Sequence, residues 1–459
     1  MQKTLLSICL FCCIIFAKAQ SWQELGINNN RLNVNGQIES ITTDIYGNVY
    51  AAGDFDDANN LFYVAKWNGT KWSELGTGNN ALKSYGYILS ITSDKSGNIY
   101  AAGFLTTQQA YYYVAVWNGT NWSEVGSGNN VINANGPIES IITDKSGNIY
   151  AAGLFYNSYG QKYVSKWNGS SWSELGSFPN TLNANGSILS ITTDNAGNIY
   201  AAGTFTNSSG KKYVAKWNGT NWSELGSGTS RLNANNSICS ISTDRSGNIY
   251  AAGMFTNANK KQYVAKWNGT SWSELGSGNN SLNADSTIKS IIIDTAGNVY
   301  AGGSFKNNNG KRYVAQWNGT NWNELGSGNN ALNANQDIRA IATDNLSNIY
   351  AGGLFKDVGG NPYVAKWDNP NTITSTILPS TINKITVYPN PSSGIIYVKT
   401  PEPGQLTICD ISGNVVFADY LDQYDNFNAI DLNKLINGLY ILRFNGTNNL
   451  YSSLKLIRQ

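Results

Sequence analysis

Two sets of carboxylates recur along the chain at intervals of 50 residues. Asp44, Asp94, Asp144, Asp194, Asp244, Asp294 and Asp344 each open a D-x-x-G-N-[IV]-Y motif, broken only by Ser347 in the last copy. Glu24, Glu74, Glu124, Glu174, Glu224, Glu274 and Glu324 keep the same clock, and the two sets make up 14 of the 29 acidic residues. An Asp and an Asn in one turn invite a calcium site, but Ca²⁺ takes about six oxygen ligands and only two side chains repeat here. An Asp that accepts hydrogen bonds from its own turn, with Gly in left-handed backbone, explains the spacing without a metal. Glycoside chemistry would need a carboxylate pair that breaks the symmetry. Glu39 and Glu139 share one position in the first and third repeats, and Asp54, Asp56 and Asp57 cluster in the first. These read as ordinary substitutions among repeats, so no catalytic residue, metal ligand or cofactor is assigned. The chain has no histidine, which excludes Ser-His-Asp catalysis, histidine metal sites and the usual proton shuttle near neutral pH.

The elements that carry these residues follow from the same period. Tryptophan falls at positions 22, 72, 122, 172, 222, 272 and 322, and again at 67, 117, 167, 217, 267, 317 and 367. Each unit holds four short runs rich in β-branched and aromatic residues, in the first unit IESITTD, NVYAAGDF, YVAKW and KWSEL. Their composition and the turn signals between them predict four antiparallel strands. Four strands every ~40 to 50 residues is the pattern of a β-propeller blade. The chain opens on a fourth strand, SWQEL, and its last unit ends after a third, YVAKW at Tyr363 to Trp367. Seven complete blades therefore require the first strand to complete the last blade, a closure that leaves no open sheet edge. The fold class is all-β: a seven-bladed propeller over residues 20–367, then a small Ig-like β-sandwich over 385–459.

Between the third and fourth strands, Asn68-Gly69 predicts a type I′ turn. That turn places Trp67 opposite Thr70 and Ala65 opposite Trp72, with both indoles on one face of the hairpin. Filling the wedge between blades is the favoured role for these rings. Seven aromatic platforms for sugars, a multivalent lectin, is the alternative.

Residues 1–19 read as a secretory leader, with Lys3, an apolar core from Leu5 to Phe16 and an Ala17-Lys18-Ala19 cleavage site. Its apolar run is too short for a transmembrane segment. Without it the 31 basic residues fall to 29, equal to the 29 acidic ones, which argues against nucleic acid as a partner. Cys9, Cys12 and Cys13 leave with the leader, and Cys239 and Cys409 are expected to be buried free thiols.

The candidate binding residues come from comparing the seven units. The turns after the first and third strands are nearly uniform, whereas the loops after the second strands differ from blade to blade. Binding usually resides on variable loops held by a rigid frame. Blades one to three place Phe62, Tyr111, Tyr112, Tyr156 and Tyr159 there. Blades three to six place Lys162, Lys211, Lys212, Lys260, Lys261, Lys311 and Arg312, with Lys306 and Lys356 nearby. An aromatic sector beside a basic arc suits a polysaccharide, acidic ones included, or an anionic protein surface. Lysines that keep the rim soluble and block edge pairing are the competing explanation.

After Trp367 the composition changes. Residues 368–384, rich in Thr, Ser, Asn and Pro, read as a linker. The motifs VYPNPSSG (Val387 to Gly394), LTICDISGNVV (Leu406 to Val416), IDLNKLINGLYIL (Ile430 to Leu442) and KLI (Lys455 to Ile457) follow. In that order they resemble the type A C-terminal sorting domain of the type IX secretion system. The resemblance implies export by that machinery as a partner, removal of the domain, and surface attachment or release. The ring, through AGGSF (Ala301 to Phe305) and YVAQWNGTNWNELGSG (Tyr313 to Gly328), resembles secreted bacterial propellers with the same repeats. That second resemblance bears on the fold; the residues themselves read as a displayed binding or adhesion module, with a glycoside-acting enzyme as the lesser alternative.

Overall fold

The computed structural model describes residues 20–106, 111–369, 385–400, 402–410, 414–421, 427–447 and 451–459. The predicted leader and residues 370–384 of the predicted linker lie outside them. Seven four-stranded antiparallel sheets form the ring. In blade one the strands are Ile38–Thr43, Val49–Gly53, Ala65–Trp67 and Trp72–Glu74, in that spatial order. The innermost strands of neighbouring blades pack side by side around an axis, and Ile38–Thr43 of blade one meets Ile338–Thr343 of blade seven. Blade seven is completed by the N-terminal strand Trp22–Glu24, with Trp22 opposite Trp367 and Glu24 opposite Ala365.

The core is divided into seven wedges between blades, as the period demands. The wedge between blades one and two joins Tyr50, Ala52, Val64 and Leu75 to Ile88, Ile91, Ile99 and Leu105. The one between blades seven and one joins Ala340, Ala342 and Tyr350 to Ile38, Ile41 and Phe55. Residues at the Phe55 position are at most 1 % exposed in every blade. In six blades that phenylalanine meets the tyrosine eight residues later edge-on, at 4.9–5.0 Å between centroids. That geometry suits the quadrupoles of both rings.

The indoles do fill the wedges. Trp72 Nε1 donates to the Leu25 carbonyl at 2.7 Å, and Trp122 to Leu75 at 2.6 Å. The same bond recurs from each later blade to the one before. The turn that presents them is shifted by one residue from the sequence expectation. Trp67 lies directly opposite Trp72, 5.8 Å between centroids, and Asn68 pairs with the residue at 71. The positive φ falls on Gly69 (97°) and Asn68 stays in ordinary backbone. A two-residue turn with Gly first obeys the same steric rule as Asn-Gly. Here the Asn68 carboxamide oxygen instead accepts from the amides of Thr70 and Lys71, at 3.0 Å each.

The D-x-x-G-N turn behaves as expected and reaches further into the core. Asp44 Oδ1 accepts from the amides of Tyr46 and Asn48, and Oδ2 from Asn48 Nδ2 and the Tyr50 hydroxyl at 2.9 Å. Burial, then the Asp44 charge, pushes the Tyr50 phenol far above its ordinary value. Tyr63 and Tyr313 are pushed up to about 12, chiefly by burial. A phenol with a raised folded-state value contributes stability that is complete below the unfolded value, ~10, and is lost as pH rises beyond it. Many such tyrosines act together, so urea titrations should show a flat midpoint from neutral pH to about 10 and a steep cooperative fall above it. A midpoint indifferent to pH between about 10 and 12 would contradict this.

Residues 385–459 fold on their own core. A three-stranded sheet (Thr386–Tyr388, Ile395–Lys399, Phe427–Asp431) packs on a four-stranded one (Gly404–Cys409, Val415–Leu421, Gly438–Gly446, Tyr451–Arg458). Ile396, Val398, Leu406, Ile408, Leu442, Phe444 and Leu456 fill the space between them. Cys239 and Cys409 are both free; Cys409 is buried. Cys239 departs from the sequence expectation, being only half-buried at the second position of the innermost strand of its blade, between the buried Ile238 and Ile241.

Candidate binding face around the ring axis

Two local features aim side chains at the axis. In every blade the innermost strand carries a bulge, so that Ile38 pairs with Gly53 while Ser40 pairs with Ala52. The residue between them, position 39, has no cross-strand partner, and a bulge of this kind re-aims its side chain. A glycine at position 53 makes the bulge feasible, because a Cβ there would lie 2.1 Å from the Gln37 carbonyl oxygen. The bulged residues are Glu39, Leu89, Glu139, Leu189, Cys239, Lys289 and Arg339. Their interactions link non-adjacent blades. Glu139 of blade three feels Glu39 of blade one, and Lys289 of blade six acts on Glu39 as well. Glu39 is therefore within electrostatic reach of both Glu139 and Lys289 around the axis.

The second feature is the loop after the second strand. It forms a small bridge of its own, Asp56 with Phe62, and Phe62 bridges in turn to Ser84 in the connection to the next blade. Variable loops and blade connections thus share one face, as expected. The candidate residues separate into two radii. Phe62, Tyr112, Lys162, Lys212 and Arg312 occupy the bridging position and are half-buried. Tyr111, Lys211, Lys260, Lys261 and Lys311 stand at or beside the loop tips.

Around the mouth of the opening the charge is polarised. Phe62, Tyr87, Phe104 and Tyr112 form a chain of rings with centroid separations of 6.5, 4.3 and 6.0 Å. Tyr87 is raised by burial and then by the carboxylates of Asp54, Glu139 and Glu39. Burial also raises Glu39 and Glu139; for Glu39 the Arg339 guanidinium opposes it, donating from Nη1 at 2.8 and 3.0 Å to the two carboxylate oxygens. Across blades six and seven Asp337 gathers Lys289 (3.5 Å), Arg312 (3.3 Å) and the Ser304 hydroxyl (2.7 Å). Burial alone would raise that carboxyl, and these three partners together hold it below its usual range. Arg312 is thus engaged with its own fold. So is Lys162, whose ammonium lies 5.5 Å from the centre of the Tyr156 ring. Lys211, Lys212, Lys260, Lys261 and Lys311 make no ion pair among the described residues.

Sequence reasoning missed Tyr87, Phe104, Lys289, Arg339 and Asp337. The signal that would have found them was the comparison between units applied to positions 37, 39 and 54 as it was to the loop tips. Among the described residues no group of three or more acidic or cysteine side chains is placed to hold a metal ion. No helix among them is long and apolar enough to cross a membrane.

Comparison with known proteins agrees with this architecture. Residues 386–459 match the family described as the secretion system C-terminal sorting domain. No curated protein matches the chain. Among solved structures, a fungal alcohol oxidase of the AA5 family in complex with copper superposes with a TM-score of 0.52 at 12% identity, covering 95% of this chain and 98% of that one. The WD40 β-propeller domain of Doa1 gives 0.49 at 12%, covering 76% and 97%. A protein of unknown function from Dyadobacter fermentans gives 0.38 at 12%, covering 76% and 97%. At such identity the likeness to the oxidase concerns fold alone, and the copper belongs to the oxidase. The chain is a seven-bladed β-propeller carrying a type IX secretion sorting domain at its C-terminus, and is exported to the cell surface or released beyond it.

Proposed function

We propose that the exported ring is a binding module that takes an acidic polysaccharide on the loop tips of blades four to six. The observation that carries this reading is the run Lys211, Lys212, Lys260, Lys261 and Lys311, whose charges lack counter-ions among the described residues while the cations near the axis are neutralised. Uncompensated charge along an arc raises the local concentration of a polyanion, and neighbouring weak contacts add through effective concentration. The repeated-lectin alternative is less favoured, because the tryptophan of each fourth strand already spends its N–H on the neighbouring blade's carbonyl and that of each third strand packs in or against a wedge core. No catalytic role is assigned; Glu39 is neutralised by Arg339, and Glu139 stands on the opening without a second carboxylate in hydrogen-bond contact.

The test is binding of the full chain to immobilised polygalacturonate, alginate and neutral dextran. Binding to the acidic chains should weaken strongly between about 0.05 and 0.3 M salt, as the screening length shortens. The quadruple variant K211E/K212E/K261E/K311E should lose about tenfold or more in affinity; Lys211 and Lys311 are exposed and Lys212 and Lys261 half-buried, so its thermal stability should fall only slightly. Equal binding to dextran, or indifference to the quadruple reversal, would remove the arc from consideration. One bound ligand per ring supports the arc, whereas about seven equal sites would favour the lectin.

A further inference from the structure

Blade three breaks the repeat at two places that the fold brings together. Phe178 stands where the other units have Asn28, Gly78, Gly128, Gly228, Gly278 and Gly328. Tyr159 stands where they have Asn59, Gln109, Ser209, Asn259, Asn309 and Gly359. Both rings are unusually open, Tyr159 82 % and Phe178 85 % exposed. They line one groove of about 530 Å³, whose remaining lining includes Asn157, Glu174, Thr181 and Asn183. That size falls within the ~300–1,000 Å³ of small-molecule sites. Asn157 Nδ2 reaches the Glu174 oxygens only at 3.3 and 3.4 Å, so carboxylate lone pairs remain for a donor from outside.

We infer that this groove is a subsite for a neutral sugar, which stacks a pyranose face on Tyr159 and Phe178 and donates hydroxyls to Glu174. Two aromatic faces beside a carboxylate and amides match a ligand that is apolar on its ring face and rich in donors at its rim. The groove contains no cation to receive an acidic sugar. A protein partner would call for a broad apolar core around its anchors, and the rest of this groove's lining is polar. The subsite does not depend on the lysine arc, and its salt response tells the two apart.

The experiment uses the full chain and five neutral hexaoses (cello-, malto-, laminari-, manno- and xylohexaose) at up to about 10 mM, by calorimetry and saturation-transfer NMR. At least one sugar should bind saturably, with affinity unchanged between about 0.05 and 0.5 M salt. Tyr159→Ala and Phe178→Ala should each weaken that binding about tenfold, ~1.4 kcal/mol. Tyr159→Phe should retain it, because the ring and not the hydroxyl is the platform. Both alanine changes fall on exposed rings, so circular dichroism and the urea midpoint should stay at the parent values. The inference fails if none of the five sugars saturates, if the alanine variants bind as the parent does, or if binding collapses with salt.

Discussion

Removing residues 20–25 should open the ring and cost several kcal/mol of stability, far more than three short strand pairs at a sheet edge would suggest. The segment Trp22–Glu24 supplies the outer strand of blade seven. The Leu25 amide then donates to the Val364 carbonyl at 2.8 Å, Leu25 enters the wedge core, and Trp22 Nε1 donates to Leu325 at 2.8 Å. Arg31 lies 3.2 Å from Asp357 and 3.5 Å from Glu24, bridging two carboxylates that the closure brings together. Burying Leu25 contributes ~1.5–3 kcal/mol and the indole bond about 1. The larger part is cooperative, since without this strand Ala365–Trp367 becomes an unpaired edge and the wedges on both sides of blade seven lose their fixed spacing. Urea denaturation followed by near-ultraviolet circular dichroism should show a lower midpoint and a shallower slope for the truncated chain. The double variant W22A/L25A, which keeps the backbone, should lie between truncation and parent. A truncated chain within about 0.5 kcal/mol of the parent would mean that the blades hold together without closure.

The second large effect is expected at the repeated aspartate. Asp44 is 4 % exposed and Tyr50 is 2 % exposed, so neither turns to water if the other is removed. Asp44→Ala would strand the Tyr50 hydroxyl, the Asn48 carboxamide and two amides that now share its carboxylate. Each buried group left without a partner costs ~1–3 kcal/mol, and solvent reaching the turn relieves part of that. A loss of about 2–4 kcal/mol is therefore expected. Asp44→Asn keeps the shape and should cost less. Tyr50→Phe alone removes a hydroxyl together with its need for a partner, so the double variant D44A/Y50F should be less damaging than the sum of its parts by about 1 kcal/mol. Strict additivity would show that the carboxylate acts only within its own turn and not as the anchor of the second strand.

The amino-acid sequence alone determined the blade count, the strand order and the closure. Each is written in a strict 50-residue clock that begins on Trp22 and ends on Trp367, so a fourth strand at one end and a third at the other can be reconciled only by pairing them. The tail was equally legible, because its motifs occur in order over a short independent core. The loops that differ between units were correctly placed on one face, since alternating turns of an antiparallel blade must alternate ends.

Tertiary structure decided what the period cannot express. The turn at Gly69-Thr70 slipped by one residue from the sequence expectation, because Gly satisfies either register and only the opposed indoles choose between them. The bulge that turns Glu39, Lys289 and Arg339 toward the axis depends on close backbone approach at Gly53, to which a residue pattern is blind. Glu39 and Arg339 meet although 300 residues separate them, as do Arg31 and Asp357 across 326. Those contacts exist because the ring closes on itself, which brings first and last repeats to the same distance as any neighbours. Tyr159 and Phe178 show the same limit on a smaller scale: each looks like an ordinary substitution in its own segment, and only the folded blade makes them two walls of one groove.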